Sequence, residues 1–152
     1  MNVIAWNCRG LGNVKAVPCI KDLLCVYKPD IVILIETLCN NNKISNLKYS
    51  VGFDHHFSVD CIGRSGGLAV LWRNSAQCSI TNYSQNFINM SIQDPIKGLW
   101  RLTAFYGYPE HGRRRNSWDL LRCLHTQSDN PLLEQGCFTS HLLSFDNNRV
   151  LK

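Results

Sequence analysis

The chain has 152 residues, of which 45% are hydrophobic and 18% charged. These proportions are typical of a globular protein and exclude an intrinsically disordered chain, and the length predicts a single domain with a buried core. The formal charge of +5 and the pI near 8.8 fit a polyanionic partner, but they are also common in proteins that bind none.

Eight cysteines would suggest the disulfide framework of a small secreted protein. However, no Cys-x-x-Cys pair occurs and no signal peptide precedes them, so reduced thiols are the simpler interpretation and a zinc site is the alternative. The longest aliphatic run, residues 31–35, is too short to cross a bilayer. We therefore expect an intracellular protein, nuclear or cytoplasmic, that is neither secreted nor bound to a membrane.

The first 36 residues predict a strand, a helix and a second strand. Two apolar runs end abruptly on polar side chains, one on Asn7 and the other on Glu36, and residues 14–27 carry apolar side chains at the three- and four-residue steps of a helix. Short strands joined in this way are normally parallel neighbours. Asn7 and Glu36 should then leave the sheet at the same edge, within reach of one ion.

Further elements follow along the chain. A helix over residues 43–48 has a possible cap at residues 40–42, and a loop with three glycines spans residues 63–67. Tyr106 stands at the end of the last clear strand, where the sequence turns polar. A helix is predicted from Arg113 to about residue 127. The expected strands cover residues 55–60, 67–72, 78–83, 87–93 and 100–106.

Four motifs together resemble the endonuclease/exonuclease/phosphatase family. The closest likeness is to the apurinic-endonuclease-like domain that precedes reverse transcriptase in plant non-LTR (LINE-type) retroelements. It covers roughly residues 1–130, which leaves residues 131–152 as a divergent C-terminal tail. The motifs are Trp6-Asn7-Cys8-Arg9-Gly10, then Lys28-Pro29-Asp30-Ile31-Val32 leading to Glu36-Thr37, then Gly63-Arg64-Ser65-Gly66-Gly67-Leu68-Ala69, and Trp100-Arg101-Leu102-Thr103-Ala104-Phe105-Tyr106-Gly107.

The resemblance implies an α/β fold, the four-layered α/β sandwich in which two sheets face each other. We expect this chain to supply only the first half of it, a mixed sheet with outer helices, with the second sheet largely missing. The strand over residues 67–72 is apolar on both faces and would then present an uncovered surface. Isolated protein should therefore be loosely packed or self-associate through that face.

The resemblance also implies Mg²⁺-dependent hydrolysis of phosphodiester bonds in DNA. Glu36 and Asn7 would lie at the metal ion, and Tyr106 would contact the scissile phosphate. Each residue has an ordinary alternative: Asn7 could form a turn with the glycines after it, Glu36 could cap the next segment, and Tyr106 could be a core aromatic residue.

A second group of residues is predicted to contact DNA. The alternatives are a plain hairpin connection for the glycine loop and solvated charges at the start of the last helix, where arginines oppose the helix dipole. The residues are Arg9, Arg64, Ser65, Arg113, Arg114 and Arg115.

Part of the family's catalytic machinery is absent from the sequence. Neither the Gly-Asp-Phe-Asn motif, which positions the attacking water, nor the later Asp-His pair occurs, so the leading interpretation is a truncated and inactive relative of a nuclease. One alternative is an active endonuclease in which Asp146, Asn147 and Asn148 compensate. The other is a nucleic-acid-binding fragment without chemistry.

Overall fold

The computed structural model describes residues 1–108, 111–126, 132–137, 143–146 and 149–151. The elements in chain order are β1 (Asn2–Asn7), α1 (Ala16–Tyr27), β2 (Ile31–Ile35), α2 (Asn41–Val51), β3 (His55–Val59), β4 (Leu68–Trp72), β5 (Gln77–Tyr83), β6 (Phe87–Asp94), β7 (Gly98–Tyr106), a 3-10 turn (His111–Arg113), α3 (Arg114–Thr126), β8 (Leu132–Cys137), β9 (Leu143–Asp146) and β10 (Arg149–Leu151).

These strands form two sheets. The first sheet has six strands in the order β10-β9-β1-β2-β4-β3, and the second has four in the order β5-β6-β7-β8. Strands β1 and β2 are parallel, as the strand-helix-strand pattern predicts, and β7 and β8 are also parallel. All other neighbouring strands are antiparallel.

The main core lies between the two sheets. Alternate residues of β2, such as Ile31 and Ile33, face Ile92 and Leu102 of the second sheet, and all four side chains are fully buried. Burying one such side chain stabilises the fold by about 1.5–3 kcal/mol. The facing of these two apolar surfaces therefore holds the sheets together.

Helices cover both outer faces of this pair of sheets. Apolar residues of α1 and α2, including Ile20 and Ile44, pack on the outer face of the first sheet, and the Asn40 side chain caps α2 by accepting a hydrogen bond from Lys43 N at 3.1 Å. Under α3, buried Arg101 of β7 donates to Leu124 O at 2.6 Å. A cation at a helix C-terminus is electrostatically favourable, so this bond ties α3 to the second sheet.

The structure confirms the α/β sandwich with a mixed sheet, and it corrects the expectation that the second sheet is largely missing. The strands between Gln77 and Tyr106 do not extend the first sheet but pair with one another to form the second. Every residue of β4 is consequently buried. The face that was expected to be uncovered is covered by the chain's own second sheet, and self-association stays a prediction.

The C-terminal segment contributes strands to both sheets. β8 pairs with β7, and β9 pairs with β1. The division into residues 1–130 and a tail of residues 131–152 stays a prediction. Among the described residues, no helix combines the length and the apolar character needed to span a membrane.

Candidate active site

The parallel pairing of β1 and β2 brings Asn7 and Glu36 to one edge of the first sheet. Asn7 lies opposite Ile35, the residue before Glu36. Backbone hydrogen bonds between the two segments continue beyond the strand ends. Cys8 N donates to Ile35 O at 2.9 Å, and Gly10 N donates to Glu36 O at 2.7 Å. The two polar strand ends therefore belong to one rigid rim.

The backbone of Glu36 sets the direction of its side chain. Ile33 and Ile35 face the core between the sheets, so regular alternation would point Glu36 toward the helices. Instead Glu36 has a left-handed backbone with φ 56°, and its carboxylate interacts with Tyr106, a residue of the core between the sheets. The unusual backbone turns the carboxylate from the helix side to the side of the second sheet.

The Tyr106 phenol lies close enough to the Glu36 carboxylate for the two groups to interact electrostatically. Burial raises the pKa of the Tyr106 phenol from 10.0 to about 12, and the charge of Glu36 and a side-chain hydrogen bond with it act in the same direction. The phenol is the last side chain of β7, only 8% exposed. The second sheet thus delivers a neutral hydroxyl to the carboxylate that the first sheet provides.

Alkaline pH should reveal this contact. Because folding raises the Tyr106 pKa, its stabilising effect is complete below pH 10 and should be lost as the pH rises toward 12. The thiols of Cys8 and Cys78, whose pKa values burial raises from 9.0 to about 12, contribute in the same direction. Urea unfolding at several alkaline pH values should therefore show a smaller loss of stability in Tyr106→Phe than in the wild type; equal losses would contradict the contact.

The loop before β4 is hydrogen-bonded to the rim through Gly66 and Gly67. Thr37 N donates to Gly67 O at 3.1 Å, and Leu38 N donates to Gly66 O at 3.3 Å. Gly67 has φ 88°, and a Cβ at this position would collide with the Thr37 hydroxyl. That hydroxyl is buried and makes no hydrogen bond within the described part of the chain. The glycine is required here because the loop and the residue after Glu36 approach each other so closely.

Asn7 forms the turn that was its ordinary alternative. Its Oδ1 accepts a hydrogen bond from Arg9 N at 3.1 Å. This interaction uses one of the two lone pairs of the amide oxygen. Asn7 therefore shapes the rim, and its role at a metal ion stays a prediction.

The rim offers few metal donors. Within the described ranges, no group of three or more His, Cys, Asp or Glu side chains could hold a metal ion. A Glu36 carboxylate and an Asn7 amide oxygen on neighbouring strand ends are hard oxygen donors of the kind that Mg²⁺ accepts, since this ion keeps several waters and takes further oxygens from substrate phosphates. The donor set fits a weakly held Mg²⁺ and does not fit a closed structural metal site.

The loop with Arg64 and Ser65 folds back on itself. Ile62 and Ser65 form an isolated bridge, in which Ser65 N donates to Ile62 O at 3.3 Å. The Ser65 amide is thus used inside the loop, while Gly66 O accepts from Leu38 N of the rim. Arg64 is exposed next to this connection. The loop therefore has the geometry of a plain hairpin connection, which was the alternative to phosphate binding. It also places Arg64 beside the rim.

The arginines at the start of α3 lie beyond the end of β7. The Arg113 guanidinium stacks over the Tyr108 ring at 4.1 Å, and Tyr108 N donates to the buried Ser117 Oγ at 2.9 Å. Arg115 is exposed on α3, and the side chain of Arg114 lies outside the described residues. Tyr108 and Arg113 therefore form a stacked pair in the segment that follows Tyr106.

The structure argues against compensation by Asp146. This residue pairs with Asn2 in the antiparallel ladder of β1 and β9, so it lies at the opposite end of β1 from Asn7, about 16 Å away at the rise of a strand. The alternative that uses Asp146 in place of the lost catalytic pair is wrong for this reason. Asn147 and Asn148 lie outside the described residues.

Strand β8 ends beside Tyr106. It runs parallel to β7 with Cys137 opposite Tyr106, so its carboxyl end reaches the same edge. The family resemblance implies that a strand ending in Gly-Asp-Phe-Asn belongs at this place in the chain. Here the strand ends in Gly136-Cys137.

Sequence reasoning missed two residues that shape the site. Thr37 packs against Gly67, and Asn86 makes two hydrogen bonds to the backbone of Tyr106. The double glycine before β4 was a usable signal for a close approach of backbones. Nothing in the sequence around Asn86 indicates that its turn meets Tyr106, because the contact joins residues twenty positions apart.

Comparison with known proteins assigns the family. The model of the Endonuclease/Exonuclease/phosphatase family matches residues 4–135. The chain belongs to this family. A search of curated proteins by sequence gives no significant match.

Several solved structures share the fold of this chain. The endonuclease domain of TRAS1, a telomere-specific non-LTR retrotransposon, superposes with a TM-score of 0.61 at 15% identity over 89% of this chain and 58% of that one. A 3′ phosphatase from Neisseria bound to a product DNA hairpin gives 0.60 at 17% over 91% and 57%. A mannosyl-6-phosphatase from Bacteroides thetaiotaomicron gives 0.65 at 11% over 90% and 64%.

These relatives differ in what they act on, from DNA to a sugar phosphate. At such low identities the similarity establishes the fold and leaves the substrate open. The chain spans less than two thirds of the length of each of these three structures.

Proposed function

We propose that this chain descends from a Mg²⁺-dependent DNA endonuclease of the retroelement type and does not cleave DNA as the 152-residue protein. The observation that carries the proposal is the contact between the Glu36 carboxylate and the Tyr106 phenol, which meet from opposite sheets. A metal-binding carboxylate beside a hydroxyl that stays neutral is the pairing expected where a phosphate is held and polarised.

Each residue of the rim has a role in this proposal. Glu36 and Asn7 would hold the divalent ion, which when bound would draw charge from the phosphate oxygens. Tyr106, neutral because its pKa is about 12, would donate a hydrogen bond to a phosphate oxygen. Arg9 and Arg64, both exposed beside the rim, would attract the backbone of the nucleic acid.

The proposed inactivity follows from the residues at the third strand end. In the sequence, cysteine follows Gly136 at the end of the strand beside Tyr106, where the family's Gly-Asp-Phe-Asn motif would have an aspartate. A thiol has less capacity than a carboxylate to orient an attacking water, since it is a weak acceptor. Losing one member of a cooperating catalytic set commonly lowers the rate by several orders of magnitude.

Nicking of supercoiled plasmid tests the inactivity. With Mg²⁺ we expect no nicking above a metal-free control, and Glu36→Gln should behave like the wild type. Nicking by the wild type that disappears in Glu36→Gln would overturn the proposed inactivity and favour an active enzyme.

Paramagnetic broadening by Mn²⁺, used in place of Mg²⁺, tests the metal site without requiring activity. Broadening of NMR signals should centre on the residues around Glu36 and Asn7 and should be lost in Glu36→Gln. Asp22→Asn, which removes an exposed carboxylate on α1, should leave the broadening unchanged. Broadening elsewhere, or none near Glu36, would contradict the proposed site.

Nucleic-acid binding without chemistry is the second candidate function. The exposed Arg9, Arg64 and Arg115 and the formal charge of +5 favour it. We expect DNA binding that weakens steeply with salt, because released counterions supply the affinity. Arg64→Ala should lower the salt slope by about one, whereas Lys21→Ala, which removes an exposed cation on α1, should leave it unchanged. An absence of binding at low salt would eliminate this function.

A further inference from the structure

Asn86 lies in the turn between β5 and β6 and holds the end of β7. Tyr106 N donates to Asn86 O at 2.7 Å, and Asn86 Nδ2 donates to Tyr106 O at 3.1 Å. The regular ladder between β6 and β7 ends at the pair of Phe87 and Phe105. These two hydrogen bonds therefore extend the ladder by one residue, to the residue that carries the phenol.

The side chain of Asn86 takes the place of a backbone donor. The Asn86 N–H donates to Ser84 Oγ at 3.1 Å, and Ser84 N donates to Phe87 O at 2.8 Å, so the turn is closed on itself. Because the Asn86 backbone N–H is used within the turn, the carbonyl of Tyr106 would lack its usual ladder partner. The Nδ2 group supplies that partner, which a residue without a side-chain donor could not do.

We infer that Asn86 is a positioning residue that fixes Tyr106, and with it the phenol, at the end of β7. Terminal strand residues with unpaired backbone groups open easily. Opening at Tyr106 would expose its ring to water and separate it from the carboxylate. The importance of Asn86 for phosphate binding rests on the proposed function, whereas its effect on Tyr106 does not.

Amide hydrogen exchange, together with the ring signals of protein labelled with ¹³C at the tyrosine ring carbons, tests the inference at neutral pH. Five tyrosines give five ring signals, and Tyr106→Phe identifies the one of interest. In Asn86→Ala the Tyr106 amide hydrogen should exchange faster, and the Tyr106 ring signal should shift as the ring gains water.

Three comparisons make the result specific. The ring signals of Tyr27 on α1 and Tyr49 on α2 should not move in Asn86→Ala, since a general loss of stability would not single out Tyr106. Asn42→Ala, which removes an exposed asparagine on α2, should change neither the Tyr106 ring signal nor its amide exchange rate. Asn86→Gln, which retains the amide donor on a longer side chain, should preserve part of the protection of the Tyr106 amide hydrogen.

An unchanged Tyr106 ring signal and amide exchange rate in Asn86→Ala would overturn the inference. If that variant does not fold, Asn86→Gln decides: amide exchange at Tyr106 that is faster than in the wild type supports positioning, and the wild-type rate contradicts it. Failure of the proposed function would be seen separately, as a loss of Mn²⁺ broadening at the rim while the dependence of Tyr106 on Asn86 remains.

Discussion

Replacing Gly67 with alanine is expected to lower the free energy of unfolding by about 3 kcal/mol, the sum of a left-handed backbone and an overpacked contact. Gly67 has φ 88°, and the added methyl group would meet the Thr37 hydroxyl and approach Leu38 N to 3.1 Å. Neither neighbour can withdraw easily, because both backbones are hydrogen-bonded across this junction. Urea unfolding followed by tryptophan fluorescence measures the change.

Gly12→Ala provides the matched control, since a Cβ at Gly12 would contact nothing within 4 Å. Its stability should stay within about 0.5 kcal/mol of the wild type. Adding Thr37→Ala to Gly67→Ala should recover part of the loss, because it removes the colliding hydroxyl but not the backbone strain. A Gly67→Ala protein as stable as Gly12→Ala would show that the loop around Gly67 does not pack closely against Thr37 and Leu38.

Gly67→Ala should also change the contact between Glu36 and Tyr106. Thr37 immediately follows Glu36, so a displaced Thr37 should turn the carboxylate away from the phenol. We expect the Tyr106 pKa to fall below about 12 in Gly67→Ala and to remain above 10.0, because burial is the largest cause of the shift. An unaltered Tyr106 pKa would mean that the substitution does not move Glu36 relative to Tyr106.

The local sequence pattern correctly predicted the centre of the first sheet, the pair of strands β1 and β2. The two apolar runs, the helix between them and the polar residues at their ends dictate a parallel pair, and the structure has β1 and β2 in that arrangement. Such a unit is set by residues close in sequence, and the connection rules leave few alternatives. The shared edge of Asn7 and Glu36 could therefore be predicted before any coordinates.

The second sheet could not be predicted in the same way. The alternating residues of β5 and β6 indicate strands, but the same alternation fits the edge of one long sheet or the face of a separate one. The choice depends on contacts such as Ile33 with the opposite sheet, which are distant in sequence. The direction of Glu36 was hidden for a related reason, since its left-handed backbone overrides the strand alternation that sequence reasoning assumes.

Truncation of the buried Ile92 to alanine should lower the free energy of unfolding by about 3 kcal/mol, as expected for a large aliphatic side chain removed from a packed core. Ile92 is fully buried between the sheets. If the second sheet completes the core of the first, the loss should appear in one cooperative transition, seen equally by far-UV circular dichroism and tryptophan fluorescence.

The control lies four residues further along the chain. Ile96, in the turn after β6, is 93% exposed, so Ile96→Ala makes the same chemical change with an expected effect below about 0.5 kcal/mol. A wild type that unfolds in two transitions, or an Ile92→Ala protein as stable as Ile96→Ala, would mean that the two sheets do not share a core. The Tyr106 phenol would then have no fixed position against Glu36, because the packing between the sheets is what holds their strand ends together.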